Sequence, residues 1–269
     1  MLKFRLYLRG NFCRPNRLLC CLAIWSLFIN GIQAQIVNME SARMQTDTTG
    51  WKGTASLGFS LSKNTTQVSS FLSSAHVQYK SNKNLYLLLG SSEFLKSDGS
   101  SLINNSFAHF RINRKYGPKL RWEWYTQFQN NAVTGIAFRI LFGTGPRFKL
   151  RETDKFKDYL GISLMYEYEK DKIAPVDGGD VYHRDVRGNF YFSFSYKPEA
   201  STEIVSTTLL QPLIRDFSDC RFMQQMSFRI KPGKKFDARF DLNYLYDPYP
   251  VPGKPKTNYR FGTGIGYNF

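Results

Sequence analysis

The sequence predicts an all-β protein: a transmembrane, antiparallel up-and-down β-barrel of about twelve strands (ten to fourteen). Three observations carry that expectation. Apolar residues recur at every second position rather than at helical spacing, and turn residues interrupt them about every 20 positions. Aromatics make up 16% of the chain, with Phe 23 and Tyr 16, yet mean hydropathy is -0.38, as expected when one face of each strand is fatty and the other wet. Finally, Tyr259, Phe261, Thr263, Ile265, Tyr267 and Phe269 alternate up to the last residue, where chains usually fray and carry polar groups.

The first 34 residues differ from the rest. Lys3, Arg5, Arg9, Arg14 and Arg17 form a cationic front without an acidic residue, and a run from Leu18 to Ile32 is almost wholly apolar. Roughly 15 apolar residues are too few for a spanning helix, which needs about 20. With the small residue Ala34 behind them, residues 1–34 read as a secretory signal peptide, followed by a periplasmic lead-in at 35–49 and a barrel domain at 50–269. Removing that peptide takes five of the 37 basic residues and none of the 21 acidic ones, so the net charge falls from +16 to +11. It also takes Cys13, Cys20 and Cys21, leaving Cys220 with no partner for an internal disulfide. Basic charge spread along an exported chain argues against a nucleic-acid partner.

Along the barrel domain, strands are expected to begin near residues 51, 67, 84, 105, 119, 133, 159, 186, 202, 219, 235 and 257. The first sets Trp51, Ala55, Leu57, Phe59 and Leu61 against Lys52, Thr54, Ser56 and Ser60. The fifth sets Leu120, Trp122, Trp124 and Phe128 against Arg121, Glu123, Tyr125 and Gln127, and the seventh sets Leu160, Ile162, Leu164, Tyr166 and Tyr168 against Gly161, Ser163, Met165 and Glu167. In the eighth, Phe190, Phe192, Phe194 and Tyr196 oppose Arg187, Asn189, Ser193 and Ser195. The eleventh alternates most cleanly, with Phe236, Ala238, Phe240, Leu242, Tyr244 and Tyr246 against Asp237, Arg239, Asp241 and Asn243. With both ends of the domain on one side, the two longest breaks fall on the far side and short ones such as "SNKN" and "KPEAS" on the near side. The break at "RETDKFKD" is longer than that pattern predicts.

Alternation alone does not say which face points outward, because a soluble barrel shows the same period. Arg, Asp and Glu in mid-strand settle it, since a small closed interior cannot bury many unpaired charges. Tyrosines at the ends of the apolar faces suit a membrane interface. The ending itself resembles the C-terminal signal for insertion of outer-membrane barrels, with Phe261, Ile265, Tyr267 and Phe269 as its residues. Outer-membrane lipid and the barrel-insertion machinery are therefore the expected partners. The last strand is expected to pair with the first, because lipid offers the backbone no hydrogen bonds.

Three stretches narrow the resemblance: "GWKGTASLGFSLSKNTT", "LRWEWYTQFQNNAVTGIAFRILFGTGPRFKL" and "LLQPLIRDFSDCRFMQQMSF". Together they resemble an uncharacterised family of outer-membrane barrels known as domain of unknown function 481, over about residues 50–269. That resemblance implies the fold and the membrane and brings no established activity or catalytic residues.

The candidate chemistry is basic and inward. Lys52, Arg111, Arg121, Arg139, Arg187, Arg229, Arg239 and Arg260 are expected to line the lumen, with Glu123, Glu167, Asp237 and Asp241 as acidic partners. Rings of Arg and Lys select anions, so one reading is a narrow anion-preferring pore. The other is a non-conducting barrel with an envelope-maintenance or stress role, its interior filled by salt bridges; twelve strands lie between the filled eight and the open sixteen. His76 and His109 face the same lumen as Glu123, a pair that could serve as acid and base or simply join a polar network. Asp171, Asp177, Asp180 and Asp185 share one external loop, with a spacing that matches no EF-hand. An envelope-lipid esterase would need serine and histidine together on the lipid-facing side, where histidine is absent. No catalytic residues, metal or cofactor are expected.

Overall fold

A computed structural model describes residues 49–172, 181–233 and 236–267. The expected signal peptide, the lead-in up to residue 48, Asp177, Asp180 and Phe269 lie outside them. The described chain is twelve β-strands: β1 (Gly50–Lys63), β2 (Gln67–Lys80), β3 (Asn84–Ser97), β4 (Ser100–Lys115), β5 (Leu120–Asn131), β6 (Ile136–Glu152), β7 (Phe156–Asp171), β8 (Tyr182–Tyr196), β9 (Thr202–Leu213), β10 (Asp216–Ile230), β11 (Phe236–Tyr246) and β12 (Thr257–Tyr267). They form one sheet in sequence order, each strand antiparallel to the next. Lengths of 11 to 17 residues meet or exceed the roughly 9–11 a tilted strand needs to cross a bilayer.

Ten of the expected starts fall within three residues; the largest shifts are at β4 and β8, which begin at Ser100 and Tyr182 because pairing continues past the alternating apolar stretch. At β6 the start moves the other way. The Asn131 carboxamide oxygen accepts from the Val133 and Thr134 amides (2.9 and 3.2 Å), and that local turn uses up the residues expected to open the strand. The break at "RETDKFKD" closes to residues 153–155, because both neighbouring strands extend into it and the Thr153 amide donates to the Phe156 carbonyl at 2.8 Å. Between β3 and β4, Asp98 and Gly99 both take positive φ (47° and 80°), the two-residue geometry whose twist matches a hairpin.

Outward positions are apolar and exposed: Leu57 and Phe59 on β1, Phe142 on β6, Leu164 on β7, Phe192 on β8 and Ile265 on β12 are examples. The inner face is largely charged and polar from β5 to β8, with apolar clusters set into it and beside it. Leu87 and Leu89 of β3 point inward and pack on Phe107 of β4, and Tyr125, Leu141 and Met165 form a second buried cluster. Curling of the sheet brings strands three apart into contact through their inner faces, as in Glu167 of β7 with Arg221 of β10. On the far side, the 247–256 loop reaches across to the β5–β6 turn, where Lys254 Nζ donates to the Ala132 carbonyl at 3.2 Å.

The expected β12–β1 ladder is not found among the described residues, and these two strands are the sheet's edges. The inward positions of β12 explain the lack of packing there: Gly262 and Gly264 have open space where a side chain would stand. β1 is exposed on both faces.

Candidate functional site

The interior has three levels: a filled waist, a charge-paired far side and a basic near side. The waist depends on glycines. Gly143 of β6 and Gly161 of β7 leave the wall bare, and the rings of Tyr125 and Tyr191 occupy the space a methyl group would take at each. Laid flat there, the two phenols are aimed at the centre. Tyr191 donates to Glu123 Oε2 at 2.6 Å, and Arg147 Nη1 lies 3.3 Å from the same hydroxyl and 3.4 Å from Glu123 Oε1. The Arg147 guanidinium also stacks over Tyr159, 4.1 Å from its centroid. Beside this set, Asn189 Nδ2 donates to the Tyr125 hydroxyl (3.0 Å) and to Ser163 Oγ (3.1 Å), and Gln211 Nε2 donates to Asn189 Oδ1 at 3.1 Å. Arg147 is 1% and Glu123 3% exposed, so each helps to compensate the other's buried charge.

Towards the far side, Glu167 accepts from Arg221 Nη1 with both oxygens, at 2.8 and 2.9 Å. The other edge of Arg221 meets Asp247 at 2.9 Å. Arg187 forks onto Asp219 at 3.0 and 2.7 Å and lies 3.6 Å from Glu167. Arg139 pairs with Glu169 and stands 3.7 Å from Glu167. Largely buried, charge-assisted guanidinium–carboxylate bonds of this kind are strong and directional, and the Arg187–Asp219 fork is bidentate. They surround a cavity of about 350 Å³ whose lining holds seven Lys and Arg against six Asp and Glu.

The near side holds a larger cavity of about 650 Å³, lined by nine Lys and Arg against only Glu152 and Glu203. Arg121, Arg229 and Arg239 line it, together with lysines from the near-side turns and strand ends.

The residues expected in the lumen are therefore spread over all three levels. Glu123 belongs to the waist, with Arg111 3.7 Å away. Arg139, Arg187, Glu167 and Arg260 belong to the far side. Asp241 pairs with Arg239 at 2.6 Å on its own strand, and Asp237 with Lys231 at 3.1 Å. Lys52 stands on the exposed edge strand. Phe261, Ile265 and Tyr267 are exposed on the outer face. His109 and Glu123 do not pair: His109 Nε2 accepts from Arg111 Nε (3.3 Å) and Nδ1 meets Gln127 (3.2 Å), because arginines take up the carboxylate. Of the external acidic set, Asp171 meets His183 at 3.0 Å and Asp185 meets Arg215 at 2.8 Å. Among the described residues no three His, Cys, Asp or Glu side chains gather as a metal site.

Arg147, Arg221, Tyr191, Asp219 and Asp247 were not singled out in the sequence. Arg147 follows Gly-Thr-Gly-Pro, where Gly143 and Gly145 carry no side chain to mark the face. Arg221 was within reach, since counting back by twos from Arg229 arrives at it.

An apolar exterior, a charged interior and twelve antiparallel strands in sequence order define a membrane-type β-barrel protein. The chain belongs to the family described as "Protein of unknown function, DUF481", which matches residues 55–269. Among solved structures it is similar to the NanC porin (11% identity, 80% of this chain and 99% of that one, TM-score 0.43). It is also similar to the translocator domain of the autotransporter NalP from Neisseria meningitidis (11%, 83% and 90%, 0.41) and to the KdgM porin (9%, 82% and 99%, 0.39). No curated protein matches the sequence.

Proposed function

We propose that this protein is an integral outer-membrane barrel, exported to a Gram-negative-type envelope, whose interior is closed by its own ion pairs in the resting state. The observation that carries this reading is the buried Glu123–Arg147–Tyr191 set between the two cavities, with the Tyr125–Ser163–Asn189 set beside it. A passage through that level would have to strip a buried carboxylate and guanidinium of their partners, at a cost of several kcal/mol. No catalytic step is assigned to these groups.

A second reading is an anion-preferring pore that runs past the network along the glycine-walled side of β12. It is favoured by the cationic near-side cavity and by the open space at Gly262 and Gly264.

Planar-bilayer conductance of the refolded protein under a salt gradient separates the two. The closed reading expects silence from protein that shows the gel-mobility shift of a folded barrel, and discrete openings once Tyr125→Ala and Tyr191→Ala are combined. Discrete anion-selective openings from the unaltered protein would overturn it in favour of the pore.

A further inference from the structure

We infer that the near-side cavity binds a compact polyanion bearing phosphate groups. The inference deepens the closed-barrel reading, because a filled waist makes this cavity a blind chamber rather than the mouth of a pore.

The two ends of the interior treat charge differently. The far side balances its guanidinium groups against carboxylates almost one for one. The near side does not, with nine cations to two glutamates, and both glutamates are already engaged: Glu152 by Lys149 and by Lys157 at 3.8 Å, Glu203 by Lys197 at 3.0 Å. Asp241 compensates Arg239 from just outside the lining. A large positive excess remains, contributed from walls that face one another across the chamber: β4 and β5 on one side, β10 on the other. Like charges held together around one chamber repel, and a bound anion relieves that repulsion. The neutral lining points the same way. Ser81, Asn82, Asn113 and Ser193 add hydroxyl and amide donors, so the chamber offers many donors and few acceptors. Ionised phosphate oxygens accept hydrogen bonds and donate none, and the arginine fork fits them in pairs. At about 30 Å³ per water, the 650 Å³ chamber holds roughly twenty waters, room for a group of several phosphates and within the range of small-molecule sites.

Phosphates can arrive on a soluble polyanion or on a lipid headgroup, and calorimetry on the full folded protein in zwitterionic micelles distinguishes them. One arm titrates inorganic tripolyphosphate, and the other titrates mixed micelles containing phosphatidic acid. The expected result is saturable binding that weakens as salt is raised. It should fall at least tenfold in the Arg121→Gln/Arg229→Gln double variant and stay within twofold in Lys63→Gln at the opposite end. Where the double variant does not fold by gel shift, Lys83→Gln/Lys115→Gln serves in its place. Binding of tripolyphosphate alone assigns a soluble ligand, and binding of phosphatidic acid alone assigns a headgroup. If neither binds, or binding ignores the substitutions, the inference is overturned. Its failure is distinct from that of the closed-barrel reading: silent protein that binds nothing sinks only this inference, and conducting protein that binds sinks only the other.

Discussion

Tyr191 shows how much of the interior depends on single atoms. Its hydroxyl bridges Glu123 and Arg147, and its ring lies where a side chain on Gly161 would be. Tyr191→Phe keeps the ring and removes the bridge, so it should destabilise the barrel by about 1–3 kcal/mol, the cost of buried polar groups left without a partner. Urea unfolding followed by tryptophan fluorescence reads that shift; an unchanged midpoint would show that the bridge contributes nothing. Glu123→Ala should cost more, about 3–5 kcal/mol, because it takes the carboxylate away from a buried guanidinium. Gly161→Ala should destabilise by pushing the Tyr191 ring off the wall, yet be close to neutral in a Tyr191→Ala background. Additive effects in that double-mutant cycle would rule out the ring contact as the cause. Little of this was legible in the sequence. Glycines carry no facial signal, so the alternation gave no hint that Gly143 and Gly161 are seats for aromatic rings or that Arg147 faces inward.

At the scale of the strand, period-two patterning was read well where one face is apolar and the other charged. β11, the cleanest alternation, has Arg239 and Asp241 on one face and Phe240 and Leu242 on the other. β3 was harder to read because "LYLLLG" is apolar on both faces, and only packing against Phe107 turns Leu87 and Leu89 inward. Strand starts lie a few residues outside the alternating stretch wherever pairing runs on into polar sequence, as at Ser100 and Tyr182. One inter-strand contact yields a sharper prediction than any of these. A methyl group at Gly145 of β6 would meet the backbone of Ile162 and Ser163 on β7 rather than a movable ring. No rotamer relieves that overlap, so Gly145→Ala should lower the temperature at which the folded gel form is lost further than Gly161→Ala does. The reverse order would mean that the β6–β7 pair separates more easily than its register implies.

For the molecule as a whole, the far-side loop and the sheet's two edges set what can move. Lys254 ties residues 247–256 to the β5–β6 turn through one carbonyl, with Val251 against Gly135 beneath it. Lys254→Met should speed proteolytic nicking of that loop in the folded protein while leaving the unfolding midpoint unchanged. A matching fall in the midpoint would make the loop part of the core instead. The interior also places a basic chamber at one end of the axis and a neutralised cavity at the other. Fixed charge that differs between the two ends makes a conduit behave as a diode. Once the waist is opened by substitution, the current should depend on the polarity of the applied voltage, and the asymmetry should fade in concentrated salt as mobile ions screen the wall.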